Sequence, residues 1–140
     1  ARNRAVRLLY PTFTAGVVVC FVRPDGRVCM VTHSYSRHWG MPGGMLDGHE
    51  QPADTATREM REELGVDVTF DSPAVPIRTP GRRHFNLLFR TDVDDRTAES
   101  MTPRSPEITG VAWYRLDELP ELSEYTDLFL DALGLIDEPA

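Results

Sequence analysis

Gly43-Gly44-Met45-Leu46-Asp47-Gly48-His49-Glu50 leads into Gln51-Pro52-Ala53-Asp54-Thr55-Ala56-Thr57-Arg58-Glu59-Met60-Arg61-Glu62-Glu63-Leu64-Gly65-Val66. Pro52 suits a first helical turn. Ala53, Ala56, Met60 and Leu64 recur at helical spacing, and Gly65 is a C-terminal stop, so the spacing predicts a helix over 52–64. At about 100° per residue, Glu59, Glu62 and Glu63 fall within an arc of about 100°, beside the apolar stripe. Arg58 stands one turn before Glu62 on the flank of that arc. An acidic helix face is ordinarily just solvated. Here Glu59 and Glu63 form a like-charged i,i+4 pair, which costs about 0.2–0.5 kcal/mol. Glu62 and Glu63 also sit at the helix end whose dipole repels anions. Repeated unfavourable placements on one arc point to a bound cation. Clustered carboxylates are hard ligands that suit Mg²⁺ or Mn²⁺. Gly43-Gly44 allows a backbone to approach such a helix closely, and a carbonyl there would complete a metal shell. His49, a lone loop histidine, reads as solvated or structural.

Outward from this stretch, the chain has 140 residues, 41% hydrophobic and 26% charged, which fits one globular domain over residues 1–140 and excludes a largely disordered chain. No apolar run reaches the roughly 20 residues a spanning helix needs, so no membrane partner is expected. Net charge is −7, and every one of the 15 basic residues is Arg. Residues 44–66 carry −4 and residues 91–140 carry −10, the second mostly solvated surface. Net acidity makes nucleic acid an unlikely partner, because backbone tracking needs a basic surface. Cys20 and Cys29 lie in two strand-like runs joined by the turn Arg23-Pro24-Asp25-Gly26-Arg27. That register puts the cysteines on opposite sides of a sheet, as reduced apolar residues in a cytoplasmic setting.

Thr12 to Val22 reads as a strand buried on both faces, with Arg27 to His33 as its hairpin partner. Ser34 to Gln51 reads as a loop. Strands are also expected at Val66–Phe70, Arg83–Thr91 and Gly110–Arg115, with a polar, mobile connection over Asp92–Thr109. A second amphipathic helix is expected over Leu122–Leu133. Strands separated by two helices make an α/β fold with a mixed sheet between helices.

The spacing Gly44-x5-Glu50-x7-Arg58-Glu59-Met60-x-Glu62-Glu63-x-Gly65-Val66 resembles the Nudix box at every fixed position, and Trp39-Gly40-Met41-Pro42-Gly43 resembles that family's lead-in. The resemblance implies an α/β/α sandwich and Mg²⁺-dependent hydrolysis of a nucleoside diphosphate linked to another moiety. By position it implies Glu59, Glu62 and Glu63 as metal ligands with the Gly43 carbonyl, Arg58 orienting the glutamates, and Glu50 holding or tuning the site from the loop. Glu59 and Glu107 are the candidate proton acceptors. Glu107 lies six residues before Trp113, where some mutator-type members carry a further metal-binding Glu.

Specificity is expected from outside the box. Arg82, Arg83 and His84, with Arg78, and Arg37 with His38, are candidates to grip phosphate. Phe13, Tyr35, Phe85 and Trp113 are candidates to stack on a base, with core packing as the ordinary alternative. Pro80 lies one residue short of a position common in ADP-ribose hydrolases. These features suit a (deoxy)nucleoside triphosphate, oxidised forms included, or ADP-ribose. A nucleotide-sensing module without catalysis and an RNA 5′-end pyrophosphohydrolase are the alternatives. The former usually lacks a box glutamate that this chain keeps. The latter draws on Arg82, Arg83 and N-terminal Arg2, Arg4 and Arg7. A homodimer is left open, with the Arg-rich N-terminus as a swapped strand, a linker or a frayed end.

Overall fold

The computed structural model describes residues 9–137, so the expectations placed on Arg2, Arg4 and Arg7 lie outside the described residues. The elements are β1 (Thr14–Val22), β2 (Val28–His33), β3 (Gly43–Met45), α1 (Pro52–Leu64), β4 (Val75–Arg78), β5 (His84–Asp92), α2 (Asp95–Ser100), β6 (Ile108–Tyr114) and α3 (Thr126–Ala132). The six strands form one sheet in the order β4-β5-β1-β2-β6, with β3 paired to β1. β1 and β5 run parallel and the other pairs are antiparallel, so the sheet is mixed.

Side chains alternate across a strand, and the run Val17 to Val22 is buried on both faces for that reason. Val17, Val19 and Phe21 pack with Ala56, Met60 and Leu64 of α1. Val18, Cys20 and Val22 pack with Phe129, Leu130 and Leu133, at and just beyond α3. The result is the expected α/β/α sandwich.

The cysteines follow the same alternation. Arg23 N–H donates to the Arg27 carbonyl at 2.8 Å and Val22 pairs with Val28. Cys20 therefore lies on the α3 face and Cys29 on the α1 face. Burial pushes the Cys20 thiol up to about 12 and raises that of Cys29 as well.

β1 and β2 do not stay paired beyond their turn. The segment from Gly40 to Met45 wedges between them: Gly40 bridges Val31, Val19 N–H donates to the Pro42 carbonyl at 2.9 Å, and Gly43 to Met45 pair with Val18 to Gly16. Part of the expected loop is thus sheet.

Three other expectations are corrected. Val66–Phe70 is not a strand. Val66, Val68 and Phe70 instead lay their apolar side chains over the α1-side core, with Phe70 5.0 Å from Phe89 between ring centres, and the edge strand comes later as β4. The connection 92–109 contains α2, capped by the Asp94 carboxylate accepting from Thr97 N–H at 2.7 Å, and Ala98 and Met101 insert into the core. Thr102 and Arg104 N–H donate to the carbonyls of Leu64 and Glu63, so this connection is tied to the end of α1. The last helix starts at Thr126 rather than Leu122. Trp39 pairs with residues 121–123 through its N–H and carbonyl, which holds that segment extended, and Tyr125 is left-handed at φ 71°.

Candidate functional site

α1 forms as its spacing predicts. Pro52 is in the first turn and Gly65 closes the helix at φ 68°. Its apolar stripe fixes the helix rotation, and that rotation turns Glu59 and Glu63 toward β3. The two glycines of β3 differ in what they approach. A Cβ on Gly43 would lie 2.0 Å from the Val17 carbonyl oxygen of the sheet, and one on Gly44 would lie 2.3 Å from Cδ of Glu59. Both positions therefore need glycine, one for the ladder and one for the carboxylate.

Glu63 is only 5% exposed, and its Oε2 has no hydrogen-bond partner among the described residues. Burial pushes its carboxyl up to about 8, Glu59 raises it further, and the Gly43 backbone opposes the rise. Glu59 is raised chiefly by burial, with Arg58 opposing and Glu62 and Glu107 adding. A buried carboxylate with a free oxygen and like-charged neighbours is unfavourable alone and is relieved by a cation. Glu62 is 56% exposed.

Arg58 gathers the other acids. Its Nε donates to Glu50 Oε2 at 3.0 Å, Nη2 to Glu50 Oε1 at 3.0 Å, and Nη1 to Glu59 at 3.1 Å and Glu62 at 3.2 Å. Thr55 hydroxyl donates to Glu50 at 3.1 Å. These bonds to Arg58 hold the Glu50 carboxyl below its ordinary range. Glu50 thus meets the helix through Arg58. With carboxylates drawn to the guanidinium, no three acidic, His or Cys side chains among the described residues converge into a ready-made metal shell.

Glu59, Glu63 and Glu107 line one cavity of about 510 Å³, which also takes in Gly43, Gly44 and His84. Arg37, Arg82, Arg83 and Phe85 do not line it. Arg37 and His38 border a separate recess, where His38 Nε2 meets Glu121 at 2.9 Å. Arg82 and Arg83 are exposed at the β4–β5 turn. Phe85 alternates to the opposite face of β5 from His84 and packs against Phe13, whose ring carries Arg78 at 5.0 Å. Trp113 lies against the α1-side core beneath Arg23. Tyr35 does line the cavity and stacks on His33 at 5.1 Å.

The sequence reading missed His33, Asn86 and Gly16 as cavity residues. Two signals were available. Gly16 interrupts an apolar strand, and His84-x-Asn86 is the polar half of a period-two strand beginning in Arg83–Thr91.

Among known proteins, the model for the NUDIX domain matches residues 12–133. A MutT-like protein of Streptomyces ambofaciens is 33% identical, over 89% of this chain and 78% of that protein. An RNA pyrophosphohydrolase of Gluconacetobacter diazotrophicus is 32% identical, over 59% of this chain and 60% of that protein. In fold, the chain is similar to a MutT NUDIX hydrolase from Burkholderia pseudomallei, with a TM-score of 0.70 at 22% identity over 88% of this chain and 99% of that one.

Proposed function

The chain belongs to the NUDIX family of hydrolases, and from that premise we propose that it is a Mg²⁺-dependent pyrophosphohydrolase that cleaves a (deoxy)nucleoside triphosphate, oxidised forms included, or ADP-ribose. The observation that carries this reading is Glu63, buried with an unpartnered Oε2 beside Glu59 in a cavity that also holds Glu107. That set fits a hard divalent cation.

Glu59, Glu62 and Glu63 with the Gly43 main-chain oxygen would hold Mg²⁺ or Mn²⁺. A divalent ion there supplies neutralisation of phosphate charge and a more acidic attacking water. Arg58 holds Glu59 and Glu62 on one guanidinium and is itself held by Glu50. Glu59 and Glu107, both on the cavity wall, are the carboxylates placed to accept a proton from the attacking water. His84, on the same wall, would contact the substrate. The buried, reduced cysteines suit a cytoplasmic setting.

One observation favours a second substrate, the 5′ end of RNA. Phe13 and Phe85 are partly exposed, with Arg78 over Phe13 and Arg82 and Arg83 at the nearby turn. Aromatic rings beside arginines suit single-stranded nucleic acid.

The test is product analysis with Mg²⁺ across nucleoside triphosphates, ADP-ribose, dinucleoside polyphosphates and 5′-triphosphate RNA. Glu62→Gln and Glu63→Gln should each lower turnover about 100-fold or more. Full activity in both variants would refute the metal site. Tight binding of one nucleotide without turnover would favour a sensor.

A further inference from the structure

The wall of the cavity beyond the glutamates is a hydrogen-bonded chain of side chains that the metal chemistry does not use. Asn86 Nδ2 donates to Thr79 Oγ1 at 3.3 Å, and Thr79 is 4% exposed. Asn86 Oδ1 accepts from His84 Nε2 at 3.2 Å, and His84 Nδ1 is hydrogen-bonded to the Thr14 hydroxyl at 2.7 Å. The amide is therefore fixed in orientation from two sides. It retains one N–H and one oxygen lone pair.

Gly16 lines the same cavity as this wall and the carboxylates. A Cβ on Gly16 would lie 3.2 Å from the Gly44 carbonyl oxygen, 3.3 Å from Asn86 Oδ1 and 3.4 Å from His84 Nε2. Gly44 in turn abuts Glu59. The bare backbone of Gly16 thus makes a flat floor beside the Asn86 amide, on the opposite face of the sheet from Glu59, and one cavity takes in both. Val18, Met41 and Met45 flank that floor within the cavity, and Met45 is 57% exposed. An apolar, flat floor ending in a fixed donor–acceptor pair matches a planar heterocycle with an adjacent donor and acceptor on its edge. A ribose offers hydroxyls but no flat apolar face.

We propose that Asn86, held by Thr79 and His84, is the specificity-determining residue that reads the nucleobase edge, with the base lying over Gly16. This rests on the nucleotide reading of the cavity. It does not depend on catalysis. A site built to hydrogen-bond one edge rejects bases that leave the amide unpaired, because the unmade bond keeps its desolvation cost.

Calorimetric titration with AMP, GMP, CMP, UMP and ribose 5-phosphate tests this without turnover. Wild type should bind one nucleotide at least about tenfold more tightly than the weakest. Asn86→Ala should reduce that spread to about threefold or less and leave ribose 5-phosphate affinity unchanged. Thr79→Val, which removes the acceptor that fixes the amide, should narrow the spread partway. An unchanged ranking in Asn86→Ala overturns the proposal. So does an equal loss for all five probes, or wild-type binding that is blind to the base. Lost hydrolysis with base preference intact would count against the catalytic reading alone.

Discussion

Glu63 illustrates at the residue scale how a site opposes the fold that carries it. Its carboxyl, pushed up to about 8 by burial, keeps its proton in the folded chain at pH values where the unfolded chain has released it. The folded state then binds more protons, so this group's contribution is fully present below about pH 4.5 and is lost as pH rises through about 8. In EDTA, Glu63→Gln should therefore flatten the decline and stabilise the protein at pH 9, on the order of 2 kcal/mol, while lowering turnover. Urea denaturation at pH 5 and pH 9 measures this, and an unchanged difference between the two pH values refutes it. The glycines give a second contrast. Gly43→Ala drives a Cβ into the backbone of β1 and should destabilise by about 3 kcal/mol. Gly44→Ala meets only a side chain, so the fold should survive with Glu59 displaced. Melting temperature and kcat for each variant should separate the two effects.

At the scale of elements, legibility tracked length and periodicity. The thirteen residues of α1 carry a repeated apolar stripe, a first-turn proline and a closing glycine, and all three appear in the structure. The six residues of α2 insert one buried alanine and offer no stripe to count. β3 is three residues of Gly-Gly-Met, and no alternation can announce it. Val66, Val68 and Phe70 do alternate, yet the alternation serves packing onto the sheet and not membership of it. The same limit applied to the site. Glu59 and Glu63, named from spacing and motif, and His84, named from a basic patch, line one cavity, whereas Asn86 joins them only through the parallel pairing of β1 with β5, which sets Asn86 beside Gly16. For α2, the cap is the element's clearest local support. Asp94→Ala should cost about 1 kcal/mol in urea denaturation without altering kcat. A silent substitution would mean that α2 is held by Ala98 and Met101 alone.

For the molecule as a whole, the proposed metal site would set a divalent ion against a proton for the buried Glu63 Oε2. Mg²⁺ should therefore raise the melting temperature more at pH 8.5 than at pH 6, and hardly at all in Glu63→Gln. Equal shifts at both pH values would place the ion elsewhere. β3 abuts Glu59 through Gly44 and occupies the gap between β1 and β2. The two cysteines, one on each face of that sheet, have a practical consequence. They are the chain's entire complement, and burial keeps both in the unreactive thiol form. A maleimide should leave the native protein unlabelled and modify both only in denaturant. Tyr35→Cys, at the exposed mouth of the cavity, would then give a single attachment point for a fluorophore on an otherwise natural background, turning ligand entry into an optical signal.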